Sequence, residues 1–230
     1  MNDLVVGCPV AHRDWVLGLW FDHVERACEV AGVKPRYVFA VDLNDPCWPI
    51  IRDRAANVTV MSVPNMKGDD RRVWDQTRYR YMTDLRNLVL RATRDLEPDA
   101  FLSIDSDILL HQDHLALMIN DLSSYDAVGG KCYMTTTGTK YPSWARLGRD
   151  GQLLRSDASG SFRVEVIMAL KLMGPNAFAV DYESDPQGED VGWSKACTRA
   201  GVRLGWNGQV CSKHALGPHM LNSVDVRVGF

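Results

Sequence analysis

No stretch of the 230 residues comes near the roughly 18 consecutive apolar positions of a membrane span, and the opening MNDLVVGCPV lacks the basic region that begins a signal peptide. The sequence is therefore expected to be cytoplasmic. Its six cysteines, Cys8, Cys28, Cys47, Cys132, Cys197 and Cys211, form no CxxC pair, which excludes a zinc signature and a dense disulfide framework and predicts buried, reduced thiols. A net charge of -3 supplies no global basic field for nucleic acid or anionic membrane. Internal repeats and low-complexity segments are also missing. What remains is the composition of an ordinary globular protein, 46% hydrophobic and 24% charged, of a length suited to one α/β domain over residues 1–230.

Charge is locally uneven. Between Lys67 and Arg94, the basic residues Lys67, Arg71, Arg72, Arg78, Arg80, Arg86, Arg91 and Arg94 outweigh Asp69, Asp70, Asp75 and Asp84. This is either an anion-binding surface or a solvated helix face whose charges pair among themselves.

The apolar patterning alternates between strand and helix. LVVGCPV reads as a buried strand ended by Gly7 and Pro9. Trp15, Leu19, Val24, Ala27 and Val30 follow a helical period from Asp14 to Ala31, with Gly32 as the stop. RYVFAVDL and residues 57–63 read as the next two strands, and Met82, Leu85, Val89, Ala92 and Leu96 mark a helix over about 75–96, closed by Pro98. This βαβ order predicts a mostly parallel sheet covered by helices. A helix over 111–122 and a strand over 125–130 follow, and the Thr-, Gly- and Ser-rich stretch 131–161 reads as a long hairpin or loop able to shape a site.

Two carboxylates interrupt the apolar run FLSIDSDILL. Read as one extended strand, its two-residue period places Asp105 and Asp107 on the same face. Unpaired acids beside a core cost several kcal/mol each unless a cation or hydrogen-bond donors compensate. Oxygen ligands of this kind suit Mg²⁺ or Mn²⁺, while the plainer reading makes the pair a cap for the following turn. Downstream, Glu189 and Asp190 open a helical pattern in QGEDVGWSKACTRAGVRLGW. The macrodipole alone favours acids there, so their role stays open on pattern; His214, after the strand GQVCS, can complete a metal site.

In chain order, DLRN (84–87), FLSIDSDILL, the pair Gly129-Gly130, IMALKLMGPNAF, and GEDVGWSKACTRAGVRLGW followed by His214 resemble the nucleotide-sugar-dependent glycosyltransferases of the Rossmann-like GT-A fold. The resemblance covers most of the chain. It implies a nucleotide-sugar half over 1–110 and a metal-completing and acceptor half over 111–230. Gly7, Cys8, Pro9 and Asp42 would meet the nucleotide, Arg86 and Asn87 would face the nucleotide sugar, and Asp105 with Ser106 would lie at the ribose or metal. Asp107 and His214 would bind Mn²⁺ or Mg²⁺, together with Asp105. Asp190 would be the general base of an inverting transfer, with Glu189 supporting it or touching the sugar. The implied donor is a UDP-sugar ahead of a GDP-sugar. The acceptor is open among a glycan, a small molecule and hydroxylated phage DNA, the last drawing on Arg71, Arg72, Arg78 and Arg80. Tyr133, Tyr141, Trp144, Trp193 and Trp206 are either sugar-stacking or packing residues. Residues 131–163 match no acceptor pattern. A nucleotidyltransferase using the same carboxylates, or a non-catalytic nucleotide- or carbohydrate-binding protein, are the competing readings; the former generally opens with a glycine-rich basic loop, whereas LVVGCPVAHRDW has one glycine and Arg13.

Overall fold

The computed structural model describes residues 1–66, 75–136, 139–141, 144–148, 150–154 and 160–223, with the backbone alone for 133–136, 139–141 and 222–223. Its first half alternates as the apolar runs predict. Strand β1 (Asp3–Pro9) leads into helix α1 (Asp14–Ala31), which ends where Gly32 takes the left-handed conformation at φ 70°. Then follow β2 (Lys34–Val41), helix α2 (Cys47–Arg54), β3 (Val58–Ser62), α3 (Gln76–Asp95) and β4 (Ala100–Ile104). The Asp75 carboxylate caps α3 by accepting from the Arg78 N–H at 2.8 Å. Helix α2 has no counterpart among the elements expected from the sequence; Pro46 and Pro49 lie at its start, where a missing N–H costs nothing.

The second half holds β5 (Ile108–Leu109), α4 (His114–Asp121), β6 (Ala127–Thr136), β7 (Thr139–Tyr141), β8 (Trp144–Leu147), β9 (Leu153–Leu154), β10 (Ser161–Arg163), β11 (Val166–Ile167), β12 (Leu170–Met173), α5 (Pro175–Phe178), α6 (Glu189–Arg199) and β13 (Leu204–His214). The main sheet runs β10-β13-β6-β12-β4-β1-β2-β3. Strands β3, β2, β1 and β4 are mutually parallel, β12 runs against both β4 and β6, and β6 and β13 are again parallel. The stretch 131–161 contains the expected hairpin, β6 with β7, and β8 joins β9 and β11 in a separate small sheet.

Burial on both faces explains the near-continuous apolar strands. On β1, Leu4, Val6 and Cys8 pack with Trp20 and Phe21 of α1, while Val5 faces the layer holding Leu85, Val89 and Leu90 of α3 and Trp193 of α6. Leu102 and Phe101 of β4 divide in the same way.

FLSIDSDILL is not one strand. β4 stops at Ile104, and Asp105 to Asp107 form a turn closed by the Ile108 N–H on the Asp105 carbonyl at 2.9 Å. The indole N–H of Trp20 also donates to that carbonyl, at 3.1 Å. The turn, and not a strand period, sets the directions of the two acids. Among the described residues no helix is long and apolar enough to cross a membrane.

Gly7 lies inside β1 so close to β2 that a Cβ there would stand 1.9 Å from the Val38 carbonyl oxygen. Gly7→Ala is expected to destabilise the fold by about 1–3 kcal/mol through backbone displacement, read as a lower urea midpoint with unchanged slope.

Candidate active site

The C-terminal ends of β1 and β4, the start of α6 and the end of β13 meet around a cavity of about 640 Å³. That is within the roughly 300–1,000 Å³ range of small-molecule sites, at the position where ligands bind open α/β sheets. Pro9, Arg86, Asp105, Ser106, Asp107, Glu189, Asp190 and His214 line it, so residues far apart in sequence meet around one cavity. Gly7, Cys8, Asp42 and Asn87 are not in its described walls. Gly7 and Cys8 are buried in the strand. Asp42 accepts from the N–H groups of Asn44 and Asn65 at 2.9 and 2.6 Å, which pins the turns beyond β2 and β3. Asn87 exchanges two hydrogen bonds with the backbone of Tyr182.

Arg86 is the hub. It is 4% exposed, donates from Nη2 to Asp105 Oδ1 at 2.9 Å and from Nε to Glu189 Oε1 at 3.1 Å, and lies 3.9 Å from Asp190 Oδ1. Asp190 has two further partners. Its Oδ1 accepts from Nζ of Lys171, a wholly buried lysine in the middle of β12, and its Oδ2 accepts from the Ala169 N–H at 3.0 Å. Ala169 is left-handed at φ 57°, a costly state for a residue with a Cβ, and its carbonyl accepts from the Asp105 N–H. One strained peptide thus ties the Asp105 turn to the head of α6.

These contacts move proton affinities in opposite directions. Burial raises the pKa of Glu189, reinforced by the neighbouring Asp190 charge and resisted by Arg86. Burial acts on Asp190 in the same sense, but the cations Lys171 and Arg86 outweigh it and hold that carboxyl below its ordinary value. Lys171 shows the reciprocal: desolvation alone would lower its pKa, and the Asp190 charge leaves it raised.

At the other wall, Asp107 Oδ2 accepts from Arg13 Nε at 3.1 Å, and Asp107 Oδ1 is 3.2 Å from His214 Nε2. Backbone pairing fixes this meeting, because His214 of β13 is opposite Ile108 of β5 and the Ala215 N–H donates to the Asp107 carbonyl. Among the described residues no three His, Cys, Asp or Glu side chains gather as a metal cage. Asp107 and His214 nonetheless fit a divalent ion as a pair: two atoms about 2.1 Å from one ion at a right angle stand about 3 Å apart, and a carboxylate with an imidazole suits Mn²⁺. Asp105 is turned instead to Arg86.

Arg13 and Lys171 were missed as site residues. A lysine inside IMALKLMGP was the available signal, since an interior strand position demands a partner for its charge. The aromatic candidates resolve toward packing: Trp144, Trp193 and Trp206 are core residues. Trp15, Tyr79 and Tyr81 line the cavity instead. Lys67, Arg71 and Arg72 lie outside the described residues, as do the side chains of Tyr133 and Tyr141; Arg78 lines the cavity and Arg80 is exposed.

No family model and no curated protein sequence matches the chain. Among solved structures, it is similar to S. aureus TarS 1-349 in complex with UDP-GlcNAc, with TM-score 0.62, 14% identity, and coverage of 98% of this chain and 62% of that one. It is also similar to the mannosyltransferase PcManGT from Pyrobaculum calidifontis in complex with GDP-Man and Mn²⁺, with TM-score 0.58, 14% identity, and coverage of 94% and 58%. A protein from STIV aligns with TM-score 0.54 and 11% identity over 95% of this chain and 87% of that one. The chain thus spans about six tenths of the TarS and mannosyltransferase chains. The shared property is the fold: a mixed α/β core with a largely parallel central sheet between helices.

Arg86→Met is expected to cost roughly 3–5 kcal/mol, since it strands Asp105 and Glu189 beside Asp190. In the wild type, Asp190's depressed pKa contributes stability that is complete above the ordinary carboxylate range and lost as pH falls through its folded value. In the variant Glu189, no longer opposed by the Arg86 charge, takes up a proton more readily, so the deficit relative to wild type shrinks on acidification. Urea unfolding across pH checks both the size and this sign.

Proposed function

We propose that the chain transfers a sugar from a nucleoside-diphosphate sugar, UDP-linked ahead of GDP-linked, to an acceptor hydroxyl with inversion at the anomeric carbon. The observation that carries this reading is the cavity itself, which sets the Asp107–His214–Arg13 group against the Glu189–Asp190 pair. The structural likeness to proteins bound to UDP-GlcNAc and to GDP-Man with Mn²⁺ supports it. On this reading residues 1–110 supply the donor side and 111–230 complete the metal and acceptor side of a single domain.

Arg13 carries a fixed positive charge beside Asp107 and presents it to the diphosphate, whose negative charge grows as the glycosidic bond breaks. Asp107 and His214 would hold Mn²⁺ or Mg²⁺, which when bound supplies Lewis-acid stabilisation to the same leaving group. Asp105 and Ser106 face the ribose side, and the ion pair with Arg86 fixes the orientation of Asp105. On the acceptor side, the hydroxyl oxygen bonds to the anomeric carbon, the electron pair of the broken bond leaves on the nucleoside diphosphate, and the hydroxyl proton passes to Asp190. Both oxygens of Asp190 already accept one hydrogen bond, and each retains a lone pair for the acceptor. A base so placed contributes roughly 10² to 10⁴ in rate. Glu189, held by Arg86, contacts the transferred sugar, and Trp15, Tyr79 and Tyr81 offer rings for sugar stacking.

Calorimetric titration of UDP and GDP, with and without Mn²⁺, tests the donor site: one nucleotide binds in a metal-dependent way, and Asp107→Ala abolishes that dependence. Failure of both nucleotides to bind the folded protein removes the transferase reading. Asp190→Asn is expected to keep nucleotide affinity within a factor of about two while lowering transfer by roughly 10² or more, measured as nucleotide release in the presence of an acceptor panel. Full activity in that variant removes Asp190 from the chemistry.

A further inference from the structure

Lys171 is the one lysine whose side chain is wholly buried among the described residues, and it projects from the centre of the main sheet. Its backbone is opposite Ser103 of β4 and Gly129 of β6, so neighbouring strands hold it on both sides. Its ammonium lies 5.5 Å from the Tyr182 ring centroid and 5.6 Å from that of Trp193, and it donates a hydrogen bond to Oδ1 of Asp190. Aromatic faces attract the charge without offering a lone pair, so they lower the cost of burying it and leave the carboxylate as its acceptor. The second oxygen of Asp190 is taken by the Ala169 N–H, on a peptide kept in the left-handed region. An apolar residue at 171 would fill this part of the core with less desolvation, so burial alone does not account for a lysine here.

We propose that Lys171 is a positioning residue for the transfer reaction: its ammonium fixes the rotamer of Asp190 and holds it as an anion that releases the accepted proton to solvent after each turnover. This deepens the transfer reading given above and rests on it. The ionisable groups facing Asp190 are Lys171 from β12, Arg86 from α3, Glu189 from its own helix and Tyr182 from the segment before that helix, with Asp105 on the far side of Arg86. Of the two cations, Lys171 makes the direct contact and Arg86 remains at 3.9 Å, already engaged with Asp105 and Glu189. Once Asp190 takes the acceptor's proton, a buried ammonium faces a neutral acid and has lost its counter-charge. That arrangement is unfavourable, and it drives the proton onward and restores the carboxylate.

The test separates charge from packing with Lys171→Gln, which keeps a donor for Asp190 but no charge, alongside Lys171→Met and Lys171→Arg. Protein labelled with ¹³C at the aspartate carboxyl is titrated by NMR, with Asp190→Asn identifying the resonance. The Asp190 signal is expected to titrate about one to three pH units higher in the Gln and Met variants and to stay near wild type in the Arg variant. If the Met variant does not fold, the Gln and Arg pair carries the comparison. In parallel, UDP and GDP release from UDP-N-acetylglucosamine and GDP-mannose, with water as acceptor, gives kcat/KM against pH. The acidic limb is expected to move upward by the same interval in Lys171→Gln, with kcat reduced at least tenfold and KM for the donor within about twofold. An unchanged Asp190 titration and an unchanged limb in folded Lys171→Gln overturn the role. If wild type turns over and Asp190→Asn does not, that failure belongs to Lys171 alone; if wild type neither binds nucleotide nor releases it, the transfer reading fails and the role of Lys171 falls with it.

Discussion

The buried guanidinium of Arg86 is the constraint on which the site depends. It holds the turn after β4 through Asp105 and the head of α6 through Glu189, two elements that chain connectivity alone leaves some eighty residues apart. Three acids, Asp105, Glu189 and Asp190, surround two cations, Arg86 and Lys171. Desolvation makes each of these charges costly alone, and the cluster is stable because every member has a close opposite charge. Such a fully paired network rigidifies the cavity wall that it forms.

Two of the four left-handed non-glycine residues among the described ones, His12 and Ala169, flank the cavity. His12 is left-handed at φ 50° in the turn between β1 and α1, where Asp45 accepts its N–H and Cys47 Sγ accepts that of Arg13. Ala169 is left-handed where Asp190 accepts its N–H. In each case a carboxylate anchors a costly peptide, and in each case the strain aims a charged group into the cavity: Arg13 at one wall, Asp190 at the other. Helix α2 has its place in this scheme, because its first residues and the preceding Asp45 clamp the Arg13 turn.

The alternating core was readable because both sheet faces are buried, and the periods of α1 and α3 emerge directly from their apolar stripes. The acids at 105, 107, 189 and 190, with His214, were readable as well, since carboxylates beside apolar runs demand an explanation. Three things were hidden. The Asp105–Asp107 turn has the same alternation as a strand, and only the tertiary bonds from Trp20 and Ala169 decide between them. Asn87 and Asp42 have the residue types of ligand-binding groups, yet their side chains satisfy backbone groups of the fold, Tyr182 for the one and Asn44 and Asn65 for the other. Arg13 and Lys171 acquire meaning from partners 94 and 19 positions away, separations for which a linear pattern has no period.

Strand β13 adds a geometric consequence. Gly205 near its start packs where a Cβ would come within 2.4 Å of the Tyr125 ring, and His214 at its end is opposite Ile108, with an irregularity in register between Asn207 and Cys211. The strand therefore works as a ruler with both ends fixed and its slack in the middle. A gain of one residue beyond that slack would put the Lys213 ammonium where the imidazole meets Asp107, and a loss of one would put Ala215 there. The spacing along this strand is as much a part of the site as the histidine itself, and it would constrain insertions and deletions more severely than substitutions.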